Sequence, residues 1–292
     1  MIKEVKAKTV IHKHDRAFPV MLDLNPYRGC TIGCKYCFAQ YSHYYIGLED
    51  FFKDIIVKTN VAQCLDLELH KKKKRRGQVK IGGVTDAYQH LEKKYLLMPK
   101  ILKVFQKYKV PIFLSTKSDL ILRDFESIKQ LAAIAPVDIA VSISSINEKT
   151  AKILEPGAPS PIKRMEALAK FSGICRSVSV LNMPVIPYIS DSYEELDELF
   201  ALAKKLKVDN LVSYPLHLRN QKVKDGFFVL TKKYFPQNAD RFIEMYRSSA
   251  TPDKEYVSGL HKRLFSLREK HQVFDNYTPL QNKITGSQLK LF

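Results

Sequence analysis

The chain has 292 residues, a formal net charge of +18 from 48 basic against 30 acidic side chains, and five cysteines. That length accommodates one large α/β domain with a short extension. Five cysteines, three of them clustered, exclude a secreted disulfide framework; the start, Met1-Ile2-Lys3-Glu4-Val5-Lys6, has no apolar leader core, and no apolar run is long enough to span a membrane. The expectation is a soluble, cytoplasmic protein with no membrane partner.

Short β-branched apolar runs alternate with helical patterns, the signature of repeated βα units on a parallel sheet. Strands are predicted near 18–24, 79–84, 110–116, 137–144, 178–186 and 209–215. Helices are predicted between them near 61–74, 94–109, 123–134, 147–154, 160–172 and 192–206. Six such units predict an α/β partial (β/α)6 TIM-like barrel over 18–230, preceded by an N-terminal segment, 1–17. Two further helices, 231–247 and 255–270, form a C-terminal helical extension over 231–275 that covers the barrel. The polar stretch 276–292, interrupted by Pro279 and Gly286, reads as a flexible tail. Basic residues recur along the chain, at Lys71 to Arg76, Lys93-Lys94, Lys204-Lys205 and Lys232-Lys233, and point to a polyanion such as nucleic acid.

The long first βα connection holds Asn25-Pro26-Tyr27-Arg28-Gly29-Cys30-Thr31-Ile32-Gly33-Cys34-Lys35-Tyr36-Cys37-Phe38. Cys30, Cys34 and Cys37 stand in the spacing C-x3-C-x2-C, with no fourth cysteine nearby. Three thiolates on a [4Fe-4S] cluster leave one iron open for an outside ligand, whereas a closed structural site has four protein ligands. A zinc knuckle completed by a histidine such as His43 is the alternative. Cys64 and Cys175 lie in apolar surroundings and read as small buried hydrophobes.

The cysteine spacing and the aromatic Phe38 resemble the radical S-adenosylmethionine (radical SAM) superfamily. That resemblance implies that the open iron is chelated by S-adenosyl-L-methionine, which is cleaved to a 5′-deoxyadenosyl radical. It also implies an external electron donor such as flavodoxin or ferredoxin. Strand ends gather at the cluster side of such a sheet, and here they are polar: Thr85-Asp86, Thr116-Lys117-Ser118 and Ser142-Ile143-Ser144. A zwitterionic ligand needs acceptors for its ammonium and a cation for its carboxylate, so Thr85 with Asp86, and Lys117, form chemically sensible clamps. Ser142 and Ser144 would reach a ribose. Each taken singly also suits an ordinary strand-to-helix turn, where Ser, Thr and Asp are preferred caps. Arg164, one turn into the helix after Pro161, would reach the cofactor carboxylate or pair with Glu155.

The order of Asn25 to Cys30, Val84 to Gln89, Thr116 to Ser118 and Glu155 to Ser160 resembles the spore photoproduct lyase family, and within it the lyase-like branch outside the true lyases. The resemblance implies Thr85 and Lys117 as cofactor contacts, Tyr36 retained and Phe38 changed beside the third cysteine, and a DNA repair reaction. One departure is specific. The hydrogen-donating cysteine of true lyases falls at Gly83, so Tyr88, the candidate catalytic residue, or another hydrogen source would act instead. The tail Gln288-Leu289-Lys290-Leu291-Phe292 resembles the peptide by which bacterial repair proteins dock on the sliding clamp, and with the basic charge makes DNA the preferred polyanion. Radical modification of RNA or protein, and a non-catalytic metal-stapled nucleic-acid-binding module, are the alternatives.

Overall fold

A computed structural model describes residues 1–14, 21–71 and 77–275 of the chain. The basic run from Lys72 to Arg76, the start of the first predicted strand and the tail with Gln288 to Phe292 lie outside the described residues.

Six parallel strands form the sheet: β3 (Met21–Leu24), β6 (Val79–Ile81), β7 (Ile112–Thr116), β8 (Val137–Ser142), β9 (Ser177–Val185) and β10 (Asn210–Pro215), adjacent in that order. β2 (Ile11–His14) adds a seventh, antiparallel to β3. Central strands of a parallel sheet are covered on both faces and read as largely apolar runs, and β8 has its first five residues buried, all apolar but Asp138. β1 (Ile2–Val5) pairs parallel with β5 (Ile55–Lys58), which pairs antiparallel with β4 (Tyr27–Arg28). This small sheet was not legible as such: four-residue and two-residue strands carry too few residues for a period to register. It takes Ile2–Val5 of the N-terminal segment into paired strand, while Ile11–His14 joins the main sheet, and its β4 and β5 lie on either side of the cysteine loop.

Between the strands run α1 (Val61–Lys71), α2 (Glu92–Tyr95), α3 (Leu97–Tyr108), α4 (Phe125–Ala132), α5 (Glu148–Leu154), α6 (Pro161–Ala169) and α7 (Tyr193–Lys205). Their starts follow capping chemistry. Asn147, Ser160 and Ser192 accept from the backbone N–H of Thr150, Lys163 and Glu195, a contribution of about 1 kcal/mol each. Leu97, Ile101, Leu102 and Phe105 bury one face of α3 against the sheet and α1.

The C-terminal region corrects the expectation of two helices. Among the described residues there are three: α8 (Gln221–Tyr234), α9 (Pro236–Arg247) and α10 (Lys254–His271). A residue before proline is disfavoured in the α region, and Phe235 sits at φ −135° so that Pro236 opens a new helix at its first position. α8 runs across residue 230, where the barrel was expected to end. Phe227, Leu230, Phe242 and Tyr246 of α8 and α9 form a second apolar cluster with Ile32, Phe51 and Leu154, and so cover the cysteine loop. α10 packs instead through Leu260, Leu264 and Leu267 on the main core. No helix among the described residues is long and apolar enough to cross a membrane.

Candidate active site

The cysteine loop is held from three sides by its own backbone. Cys30 N–H donates to Phe51 O (3.0 Å), Lys35 N–H to Leu154 O (2.9 Å), and Gly157 N–H to Ile32 O (2.8 Å). Gly29 lies at φ +85° and Gly33 at φ +76°, conformations open to glycine. Gly157 is demanded by close approach: a Cβ there would stand 2.5 Å from Thr31 O. Thr85 Oγ1 donates to Gly29 O (2.6 Å), and Gln89 bridges the same carbonyl, Thr85 Oγ1 and Thr31 N–H.

Cys30, Cys34 and Cys37 line one cavity of ≈ 570 Å³ at the C-terminal ends of the parallel strands. Tyr36, Phe38, Thr85, Asp86, Lys117 and Ser142 share its wall, with Leu181, Met183 and Pro184 from the end of β9. Nine of the twelve expected site residues are thereby brought together. The other three are not. Tyr88 is wholly buried, its hydroxyl donating to Asp124 Oδ2 (3.0 Å). Ser144 is buried beside Tyr36 and Glu155. Arg164, also wholly buried, takes the structural alternative: Nη1 lies 2.7 Å from Glu155 Oε2 and donates to Ser142 O (2.6 Å). Two wider clefts, of ≈ 980 and ≈ 1110 Å³, carry no cysteine.

Asp86 lines the cavity with both oxygens engaged. Oδ1 accepts from Thr116 Oγ1 (2.7 Å) and Tyr88 N–H (2.9 Å), and Oδ2 from Lys117 N–H (2.7 Å). Its carboxylate therefore ties the ends of β6 and β7 together. Lys117 Nζ lies 3.9 Å from Glu155 Oε1 and 5.8 Å from the centre of the Tyr36 ring, whose hydroxyl donates to the same carboxylate. Burial works to raise the Glu155 carboxyl, but Arg164 and then Lys117 hold it below its ordinary value. Glu155, Gln89, and the rim residues Tyr214, near the end of β10, and His217 and Arg219, beyond it, were missed from the sequence. The strand-end rule applied to β10 finds the last three; Glu155 appeared only as a partner for Arg164.

Burial pushes the Cys30 thiol up to about 12, against the Ile32 and Asp86 backbone N–H groups that hydrogen-bond its sulfur. Cys34 and Cys37 rise for the same reason, with Lys117 and, at Cys37, the N–H groups of Ala39 and Gln40 opposing. Such thiols lose their protons to a metal that takes the thiolates. The donor set fits an iron–sulfur cluster: soft ligands, hydrogen bonds to sulfur, and an adjoining cavity. Among the described residues no three His, Cys, Asp or Glu side chains gather around a point that would hold a single ion. His43, the alternative fourth ligand, turns its Nε2 to Asp54 O (2.7 Å) and its ring to Phe51.

The sequence profile of the Radical SAM superfamily matches residues 24–203. An uncharacterized protein of Mycobacterium tuberculosis is 31% identical over 281 residues, 94% of this chain and 82% of that protein. An uncharacterized protein of Methanocaldococcus jannaschii is 31% identical over 236 residues, covering 80% and 82%. Among solved structures, a cysteine-to-serine mutant of spore photoproduct lyase superposes with a TM-score of 0.69 at 14% identity, over 94% of this chain and 82% of that one. A second lyase mutant, with bound AdoMet and dinucleoside spore photoproduct, gives 0.66 at 13% identity, covering 94% and 81%. Fold, cysteine loop and profile agree, and the chain belongs to the radical SAM superfamily.

Proposed function

We propose that this protein is a radical SAM enzyme that holds a [4Fe-4S] cluster through Cys30, Cys34 and Cys37 and acts on DNA, in a repair-like reaction. The observation that carries the reading is the convergence of these cysteines with Lys117 and the polar strand ends on one cavity. A bound cluster would supply the electron for reductive cleavage of S-adenosylmethionine, whose nucleoside radical abstracts hydrogen from substrate.

The chain's own residues bind, orient and exclude water. The N–H groups of Ile32, Asp86, Ala39 and Gln40 stabilise thiolate sulfur at Cys30 and Cys37. Lys117, steered by Glu155 and Tyr36, is the cation available to the carboxylate of S-adenosylmethionine. Thr85 and Ser142 face the cavity as polar contacts, and Asp86 acts by fixing Thr116 and Lys117. Met183, Pro184 and Phe38 offer apolar surface to an adenine, while Leu181 and Leu216 help keep water out. Arg164 and Ser144 brace this wall from behind. Tyr88, its hydroxyl spent on Asp124, is left out of the hydrogen return.

The net charge and the basic rim residues Lys80 and Arg219 support a polyanionic substrate, as does the dinucleoside in the lyase structure of the same fold. Electrons would come from a flavodoxin or ferredoxin. Anaerobic reconstitution tests the reading. About four irons per chain, and cleavage of S-adenosylmethionine by reduced protein that DNA accelerates, are expected; tetrahedral zinc without cleavage overturns it.

A further inference from the structure

The segment directly after Cys37 folds as a 3₁₀ helix, Phe38–Ile46. In that geometry side chains three apart eclipse, so Phe38, Tyr41 and Tyr44 rise in a row, with Tyr45 beside them. The opposite face anchors it: Ala39, Ser42 and His43 are buried, and Gly47 closes the helix at φ 63°. The aromatic side is left open. Tyr45 is 81% exposed, Phe38 59%, Tyr44 52% and Tyr41 40%. Phe38 stacks on Tyr41 with centroids 6.4 Å apart, and Tyr41 meets Tyr45 edge-on at 6.1 Å. Contiguous exposed apolar surface of this kind marks a binding face.

The ridge is continuous with the site, because Phe38 is both its first ring and part of the cavity wall. The same lining holds Tyr214, half-exposed and packed edge-on against His217 at 5.1 Å, and the exposed Arg219. Charge selects the occupant. Residues 38–48 contain no acidic side chain, and with Lys117 facing Glu155 and Asp86 already engaged, the cavity lining leaves Lys80 and Arg219 as the cations open to a strand. Ring faces beside cations suit a strand whose bases are free to stack and whose phosphates need neutralising. A duplex keeps its base faces covered, so it cannot use the ridge.

We propose that the Phe38–Tyr41–Tyr45 ridge, with Tyr214 and Arg219, is a stacking platform that feeds single-stranded DNA into the cavity. This rests on the DNA reading above and narrows it to an unpaired strand.

The test is fluorescence anisotropy on the anaerobically reconstituted full chain with a labelled oligothymidine of ~12 nucleotides. The same strand annealed to its complement and an oligouridine serve as competitors. Single-stranded DNA is expected to bind at least tenfold more tightly than duplex. Tyr41→Ala/Tyr45→Ala should weaken it about 10- to 100-fold, Tyr41→Leu/Tyr45→Leu nearly as much, and Tyr41→Phe/Tyr45→Phe about twofold or less. Arg219→Ala should weaken binding and reduce the salt slope by about one. These side chains are exposed, so the variants should retain the fold, which circular dichroism checks. Leucine variants that bind like wild type, equal affinity for duplex, or tighter binding of oligouridine each overturn the proposal. Protein that cleaves S-adenosylmethionine yet binds no strand overturns this inference alone. Protein that binds the strand as expected but holds no cluster supports the platform and sinks the enzyme reading.

Discussion

Replacing Arg164 separates a structural brace from a ligand contact. Arg164 and Glu155 are both fully buried, with Nη1 2.7 Å from Oε2. Removing one member of such a pair leaves an uncompensated charge and costs about 3–5 kcal/mol. The surroundings rank the two halves. After Arg164→Met, Glu155 keeps the Tyr36 hydroxyl and the Lys117 ammonium at 3.9 Å, which places the loss near the lower end, about 3 kcal/mol. After Glu155→Gln, Arg164 and Lys117 both lose their countercharge, which places it near the upper end, about 5 kcal/mol. The double variant removes the Arg164–Glu155 pair and should be more stable than Glu155→Gln alone, because contacting residues couple. Urea unfolding of cluster-free protein, followed by circular dichroism and tyrosine emission in this tryptophan-free chain, measures all three. A loss below about 1 kcal/mol for Arg164→Met, or a double variant losing the sum of the singles, refutes the brace. An arginine held in reserve for a ligand carboxylate would instead leave ligand-free protein more stable when removed.

Four further outcomes follow from local structure. Gly157→Ala places a Cβ 2.5 Å from Thr31 O and 2.8 Å from Ile32 O, so it should lower iron content on reconstitution and destabilise by about 1–3 kcal/mol; Gly226→Ala, exposed within α8 with nothing within 4 Å, should stabilise by up to about 1 kcal/mol. In Gly83→Cys the atoms nearest the new Cβ are those of the Asp23 carboxylate, at 3.5 Å or more, so it should fold and add one thiol that a thiol reagent reaches in the cavity and S-adenosylmethionine protects; an inaccessible thiol contradicts the placement of Gly83. Burial, then the neighbouring Arg28, holds the Lys58 ammonium down at about 8 from 10.5. The unfolded chain then binds more protons across that window, so this group makes stability rise from about pH 8 to 10.5, with its full penalty present below 8. Lys58→Met should flatten that rise in pH-dependent unfolding, and an unchanged slope would sink the assignment.

The cysteine spacing, the six parallel strands and the polarity of their ends were determined by sequence alone, because thiolate count and apolar period are local properties. The three C-terminal helices were legible only in part, since the helical pattern runs on across Phe235 while Pro236 stops the backbone. Which polar groups face the cavity was decided by tertiary structure. Ser142 and Ser144 would share a face if β8 continued, because side chains alternate with a period of two. The strand ends at Ser142, the chain turns, and Ser144 falls behind the wall beside Glu155. Tyr88 is redirected in the same way, at a turn where its N–H bonds Asp86. The aromatic row after Cys37 is visible as letters, but only the burial of Ala39, Ser42 and His43 turns it outward. Composition and spacing name the metal chemistry; the direction of each side chain depends on where the chain turns and what it packs against.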